Sequence, residues 1–300
     1  KSSVYFYPAG VEKKILVEVF TGQACGNCPA GHANLANAMK GIDVSEWQGD
    51  IDWQQVKDAG VEFAIENGAD VLSMSLGFKH SQLSETDIVL LRRTFENTLL
   101  LGVPVCAAAG NDGNSYGAPD NVDFPAACPP PYLHPDQMVN AGGLTSVISV
   151  GSVNAKDEYV SSSSQGPVTW VGTAFADYPY DSEHIGLIRP DISAPGELVY
   201  SLKHDENDKY KYMSGTSQAT PCVAGVIALM LEKNPSLTPA EICEIIETTA
   251  KKLTDAKSNL TGSGRVDALA AVNGVNTENE RPFIRVGNCS PEFMSAGLGK

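Results

Sequence analysis

Short apolar runs alternate with helical patterns along most of the chain, and this alternation limits the fold more than any other feature. Residues 103–109 and 147–153 are dominated by apolar and small side chains, which is typical of strands buried on both faces. Residues 84–101 carry a helical pattern, with Ser84 as a candidate N-cap and Asp87 three positions later. Strands joined through helices predict an α/β fold with a doubly wound, mainly parallel sheet.

The remaining pattern is consistent with the same architecture. Further strands are predicted at 15–20, 42–44, 71–76 and 198–202, and further helices at 30–39, 51–59, 62–67, 220–231 and 238–252. Residues 114–140 and 154–190 show no periodicity and are predicted to be irregular.

The charge balance narrows the range of partners. The 300 residues contain 21 Lys and Arg against 36 Asp and Glu, a formal net charge of −15, which argues against nucleic acid or an anionic membrane surface. A hydrophobic content of 42% is enough for a packed core, so global disorder is excluded. No apolar run reaches the roughly 20 residues of a transmembrane helix, and residues 1–3 begin no signal-peptide pattern.

Two segments contain candidate catalytic residues. The run MSGTSQATP at 213–221 places Ser217 in a small-residue turn before an apolar helix, where its hydroxyl is uncrowded and faces the positive helix end. The run VPVCAAAGNDG at 103–113 ends a strand at Asn111, whose amide can donate to a developing oxyanion.

These segments resemble the nucleophile and oxyanion motifs of the subtilisin-like serine peptidases. The runs ISVGSVN at 148–154, RPDISAPG at 189–196 and GRVDALAAV at 264–272 also fit, in the order of that family, so the resemblance covers about residues 64–275. It implies a subtilisin-like sheet and cleavage of peptide or protein substrates through acyl-Ser217, with Asn111 as oxyanion donor. It also implies export to the cell envelope or medium, and possible bound Ca²⁺, although no loop has ligand spacing that requires the ion.

The run AIENGADVLSMSLG at 64–77 resembles the cleft-lining segment of the same family. By that resemblance, its end would pair with the backbone of a bound substrate. The predicted substrate-binding residues are Ser73, Ser75, Leu76 and Gly77.

The Asp and His motifs of the family triad are absent upstream of residue 64. Asp43 and His32 occur in the reverse of the family order, and His80 is a weak substitute. A serine hydroxyl without a positioned base is a poor nucleophile. The sequence therefore predicts a peptidase scaffold with absent or strongly impaired activity, and a non-catalytic peptide-binding pseudoprotease is the alternative.

The N-terminal residues resemble two other families. Residues 15–39 resemble the first strand and active-site helix of a thioredoxin-like protein, with Cys25 and Cys28 one helical turn apart. Residues 41–63 resemble the start of glycoside hydrolase family 25 lysozymes. A local disulfide or a thiol–disulfide oxidoreductase is a further alternative for the cysteine pair, and no metal site is predicted. We expect residues 1–63 to be foreign βα units that replace the front of the sheet, residues 64–275 to form the peptidase domain, and residues 276–300 to be a tail.

Overall fold

The computed structural model describes residues 61, 64–65, 68–115, 117–128, 145–169, 182–183, 185–202 and 209–276. The elements predicted between residues 15 and 59, the Cys25 and Cys28 pair, and the predicted tail beyond residue 276 lie outside these described residues.

A parallel sheet organises the described chain. Its strands are β1 (Leu72–Met74), β2 (Val105–Ala108), β3 (Ile148–Val153) and β4 (Ile192–Pro195), in the order β1-β2-β3-β4. All three pairings are parallel, and the register places Leu72 opposite Val105, Cys106 opposite Ile148, and Val150 opposite Ile192. The predicted mainly parallel sheet is thereby confirmed.

Helices cover both faces of this sheet. Helix α1 (Glu85–Leu100) follows β1, whereas α2 (Thr216–Lys233), α3 (Pro239–Thr248) and α4 (Ala268–Gly274) follow β4 in the chain. A short 3₁₀ turn, His80–Gln82, precedes α1. An antiparallel hairpin of β5 (Val199–Leu202) and β6 (Tyr210–Met213) leads into α2.

Alternation along the strands explains why the sheet needs helices on both sides. In β2, Val105 and Ala107 join one hydrophobic cluster with Phe95 of α1, whereas Cys106 joins a second cluster with Ile227 of α2. Successive strand side chains point to opposite faces, so a strand that is apolar throughout requires cover on each. The doubly wound architecture follows.

Two helix starts are fixed by local sequence. Ser84 Oγ accepts a hydrogen bond from the Asp87 amide at 3.3 Å, and the Asp87 carboxylate accepts from the Ser84 amide at 2.8 Å. The same reciprocal capping box joins Thr238 and Glu241 at the start of α3. The predicted Ser84 and Asp87 cap is confirmed.

Other boundaries differ from those predicted. Helix α2 begins at Thr216 rather than 220 and continues through Pro221, and α3 ends at Thr248 rather than 252. Strands β4 and β6 were not predicted from the sequence, whereas β5, which is equally four residues long, was predicted.

A cluster of charged side chains is buried beside β4 and α3. The Lys257 ammonium lies 2.9 Å from Glu247 Oε2 and 3.3 Å from Asp191 Oδ1, and the Arg189 guanidinium also contacts Asp191. Ser263 Oγ donates to Glu247 at 2.6 Å. Burial raises the pKa of the Glu247 carboxyl. Burial of the Lys257 amine opposes its charge, but the Asp191 and Glu247 carboxylates outweigh burial and raise its pKa.

The Lys257 side chain is 3% exposed, and its removal leaves the buried Glu247 carboxylate without the cation that contacts it, while Asp191 keeps Arg189. We expect Lys257→Met to lower the free energy of unfolding by about 3–5 kcal/mol in urea titrations. The matched control is Lys251→Met, which removes the 54% exposed partner of Asp157 and is expected to cost about 0–1 kcal/mol. Equal losses in the two variants would contradict a structural role for the buried cluster.

Candidate active site

The start of α2 lies against the residues that follow β1. Ser217 is the second residue of α2, and its Oγ donates to the Ser75 carbonyl at 3.4 Å. In return, Ser75 Oγ donates to the Ser217 carbonyl at 2.8 Å. In a regular helix, the amide four residues later would donate to the Ser217 carbonyl. That residue is Pro221, which has no N–H, so the Ser75 hydroxyl takes its place as donor. The serine hydroxyl is thus held against the backbone that directly follows β1.

Asn111, which follows β2, also contacts the start of α2. Its Oδ1 accepts a hydrogen bond from the Thr216 amide at 2.9 Å. Because an N–H group requires an acceptor, the oxygen of the Asn111 side chain faces Thr216, and its NH₂ group remains as a donor. Asn111 therefore contacts α2 at Thr216, the residue directly before Ser217.

The Thr216 hydroxyl holds the end of β2 in place. It accepts from the Gly110 amide at 3.2 Å, and it lies 3.2 Å from the Gly110 carbonyl and 3.3 Å from Asn111 Oδ1. Thr216 is fully buried, so these contacts are shielded from water. The sequence prediction named Ser217 but not Thr216, although Thr216 lies within the same motif.

The backbone conformation and close packing at Gly215, the N-cap of α2, favour a residue without a side chain. Its φ of +149° lies in the region that favours glycine, and its amide donates to the Gly196 carbonyl at 2.7 Å. A Cβ on Gly215 would lie 3.3 Å from Asn111 Oδ1. The absence of a side chain here lets Asn111 approach the helix start closely.

The predicted cleft-lining residues occupy different environments. Ser73 pairs with Cys106 inside the sheet, and its hydroxyl is buried with no hydrogen-bond partner among the described residues. Leu76 packs into the core, Ser75 is buried against Ser217, and Gly77 is exposed. Within this segment, only Ser75 forms hydrogen bonds with the candidate nucleophile, through its hydroxyl and its carbonyl, among the described residues.

No general base meets Ser217 in the described part of the chain, where its hydroxyl contacts only the Ser75 carbonyl. The ring of His80 lies 5.9 Å from that of Phe124, between ring centroids. His32 and Asp43 lie outside the described residues.

The cysteine thiols of the described chain are mostly buried. Burial raises the pKa of Cys128 and of Cys243 to about 12, and it raises the pKa of Cys106 further. These three thiols therefore remain protonated at neutral pH and are not reactive nucleophiles. Cys222 on α2 is exposed.

Within the described residues, no group of three or more His, Cys, Asp and Glu side chains is placed to hold a metal ion. Within the same residues, no helix is both long and apolar enough to cross a bilayer.

Comparison with known proteins gives the family. The model of the subtilase family, peptidase S8, matches residues 22–264, and the chain belongs to this family. It is 30% identical over 272 residues to the serine protease AprX of Bacillus subtilis, covering 82% of this chain and 53% of that protein. It is 32% identical over 212 residues to subtilisin E of the same species, covering 71% of this chain and 43% of the relative.

Two further comparisons agree with this assignment. A subtilisin of Bacillus pumilus is also 32% identical, over 71% of this chain and 60% of its own length. The chain thus spans about half the length of these relatives. A solved structure of a mutant of the PatA protease domain shares the fold, with a TM-score of 0.50 and 23% identity over 77% of this chain and 70% of that one.

We expect Gly215→Ala to lower the free energy of unfolding by about 1–3 kcal/mol, because alanine strains the backbone at positive φ and crowds Asn111. The control is Gly225→Ala within α2, where a Cβ would meet nothing within 4 Å. That variant is expected to gain about 0.5–1 kcal/mol from helix propensity. A neutral or stabilising Gly215→Ala in chemical denaturation would contradict the steric account.

Proposed function

We propose that this subtilase domain binds an extended peptide segment in the cleft between Ser75 and Asn111, and that its serine endopeptidase activity is absent or strongly impaired. The observation that carries the proposal is the donor contact of Ser217. The hydroxyl gives its hydrogen bond to the Ser75 carbonyl, whereas a serine nucleophile must pass its proton to a base.

In a complete site, Ser217 Oγ would form a bond to the carbonyl carbon of the substrate. The carbonyl oxygen would then take up the negative charge, and the Asn111 NH₂ group would donate to it. Expulsion of the amine would leave an ester on Ser217, which water hydrolyses. The proton has to move from Ser217 to a base and then to the leaving amine, and this transfer is the step for which the described residues offer no group.

The oxyanion donor and substrate binding alone retain part of the catalysis. In serine peptidases without a working triad, these features leave a residual acceleration of roughly 10³–10⁴ over the uncatalysed reaction. The cleft therefore remains suited to binding peptides even where turnover is slow. Peptide binding without turnover is the result that would identify a pseudoprotease.

The proposed arrangement assigns residues 64–275 to the peptidase domain and residues 1–63 to βα units that replace the front of the sheet. The family match begins at residue 22, so it includes residues 22–63 of the stretch proposed as replacement βα units. Residues 276–300 are proposed as a tail, and export to the cell envelope or medium follows from the family resemblance. A redox role for Cys25 and Cys28 remains a prediction, because both lie outside the described residues.

A fluorophosphonate probe tests the proposal directly, because it reacts covalently with an activated serine. We expect Ser217 to be labelled roughly a thousandfold more slowly than the serine of an active subtilisin under the same conditions. The Ser217→Ala variant supplies the background. Labelling at a rate similar to that of the active enzyme, and abolished in Ser217→Ala, would show that a base outside the described residues completes the triad.

A further inference from the structure

Asn111 is an exposed residue in a turn, residues 110–113, that follows β2. A hydrogen-bond donor stabilises a developing oxyanion only if its N–H group already points at the position of that oxygen. A side chain keeps such a position when the groups around it are fixed by packing and by hydrogen bonds. The backbone contacts on either side of Asn111 therefore determine how well it can act as a donor.

Ser164 forms hydrogen bonds with both neighbours of Asn111. The Ser164 amide donates to the Gly110 carbonyl at 2.9 Å. The Ser164 hydroxyl accepts a hydrogen bond from the Asp112 amide at 3.1 Å. Ser164 is fully buried, so both bonds are shielded from water. One residue thus holds the backbone before and after the proposed oxyanion donor.

Two glycines of the turn allow this close approach. A Cβ on Gly110 would lie 2.8 Å from Ser164 Oγ, and a Cβ on Gly113 would lie 2.3 Å from the Ser163 carbonyl oxygen. The Gly113 amide also donates to the Ser162 carbonyl at 3.0 Å. The three serines therefore contact the turn at hydrogen-bonding distance because Gly110 and Gly113 have no side chains.

The segment that contains Ser164 is fixed to the sheet independently of the turn. Ser163 Oγ accepts from the Ser152 amide of β3 at 3.1 Å, and the Val160 amide donates to the Ser152 carbonyl at 3.2 Å. The Tyr159 hydroxyl donates to the Ser163 carbonyl at 2.6 Å. Strand β3 therefore sets the position of this segment, and Ser164 passes that position on to the turn.

We propose that Ser164 is a positioning residue that fixes Asn111 as an oxyanion donor by holding the backbone on both sides of it. This assignment rests on the role proposed for Asn111 in the reaction. The hydrogen bond from the Thr216 amide orients the end of the Asn111 side chain, and Ser164 fixes the backbone from which that side chain starts. A small displacement of a positioned group is enough to weaken its effect on the rate.

The other contacts of Asp112 do not replace the Ser164 hydroxyl. The Asp112 carbonyl accepts from Asn121 Nδ2 at 3.0 Å, and the Asp112 carboxylate pairs with Lys79 at 3.1 Å. Neither contact uses the Asp112 amide. Removal of the hydroxyl in Ser164→Ala therefore takes the acceptor from this amide while the turn keeps other links to the protein. We expect the variant to fold and the turn to shift.

The test measures covalent labelling of Ser217 in the full chain by a fluorophosphonate. Ser217 Oγ forms a bond to phosphorus, the P–F bond breaks and hydrogen fluoride is released, and negative charge builds up on the phosphoryl oxygen in between. We expect Asn111→Ala to slow labelling roughly a hundredfold, because it removes a donor to that oxygen. Ser164→Ala is expected to slow labelling roughly tenfold, because the donor is present but displaced.

A double-mutant cycle separates positioning from a general loss of structure. If Ser164 acts through Asn111, adding Ser164→Ala to Asn111→Ala slows labelling by less than about twofold, because there is no donor left to displace. A tenfold loss that persists in the Asn111→Ala background would overturn the positioning role.

Ser163→Ala is the matched control. Ser163 is the neighbouring and equally buried serine, and its hydroxyl also accepts one backbone amide at 3.1 Å, from β3 rather than from the turn. We expect both variants to lower the urea midpoint of unfolding by similar amounts and only Ser164→Ala to slow labelling. Equal slowing in the two variants would overturn the assignment of Ser164.

Hydrogen exchange tests the contact in the unsubstituted chain. The Asp112 amide donates to a buried hydroxyl, so we expect NMR to show exchange at least roughly tenfold slower than in an unfolded chain. Exchange at the unfolded-chain rate would overturn the proposal, and this result does not require Ser164→Ala to fold.

Failure of this assignment is distinguishable from failure of the proposed function. Rapid labelling of the unsubstituted chain would overturn the proposed impairment, and the ratio between that chain and Ser164→Ala would still test the role of Ser164. Labelling that Asn111→Ala does not slow would overturn the oxyanion role of Asn111, and the assignment of Ser164 with it.

Discussion

The contact between the end of β1 and the start of α2 is the constraint on which the candidate site depends. Pro221 cannot donate to the Ser217 carbonyl, and the Ser75 hydroxyl supplies the missing hydrogen bond at 2.8 Å. The Ser217 hydroxyl returns a bond to Ser75 at 3.4 Å. A shift of α2 along the sheet would break both. The location of the candidate nucleophile is thus determined by a proline within a helix and by a serine that compensates for it.

Asn111, the proposed oxyanion donor, is held at the same helix turn by Thr216, the residue before Ser217. Thr216 holds Gly110 through its hydroxyl and Asn111 through its amide, and it is itself fully buried. Donors that are fixed before a substrate arrives need no reorganisation when charge develops, which is the basis of electrostatic stabilisation in such sites. Under the proposed function, polarisation of a bound carbonyl and transfer of a proton are therefore separable. Asn111 is the proposed group for the first, and no base contacts the Ser217 hydroxyl within the described residues for the second.

The sequence predicted features that depend on neighbours along the chain and missed those that depend on distant segments. The Ser84 cap and the buried strands follow from local patterns, so they could be predicted. The Thr216 contact with Asn111 joins residues 105 positions apart, and only the family resemblance suggested that their motifs meet. The charged residues of the cluster around Lys257 would ordinarily be placed on the surface, because each partner comes from another part of the chain.

Asp123 shows the same limit within the site itself. It lies in a stretch without periodicity, so no local pattern indicates that its backbone joins the ends of two strands. Only the folded sheet shows that Asp123 packs between Gly77 and Gly110.

Under the proposed function, a peptide-binding domain differs from a peptidase by one proton acceptor. A side-chain hydroxyl changes its acceptor by rotating about χ1 between staggered positions, and the backbone of α2 need not move. Ser217 would then leave the Ser75 carbonyl for an imidazole, while Pro221 and Ser75 would keep the helix start in register. The contact of Asn111 with Thr216 would be unchanged by that exchange. Under the proposed function, absence of a base therefore removes the chemistry and leaves peptide binding intact.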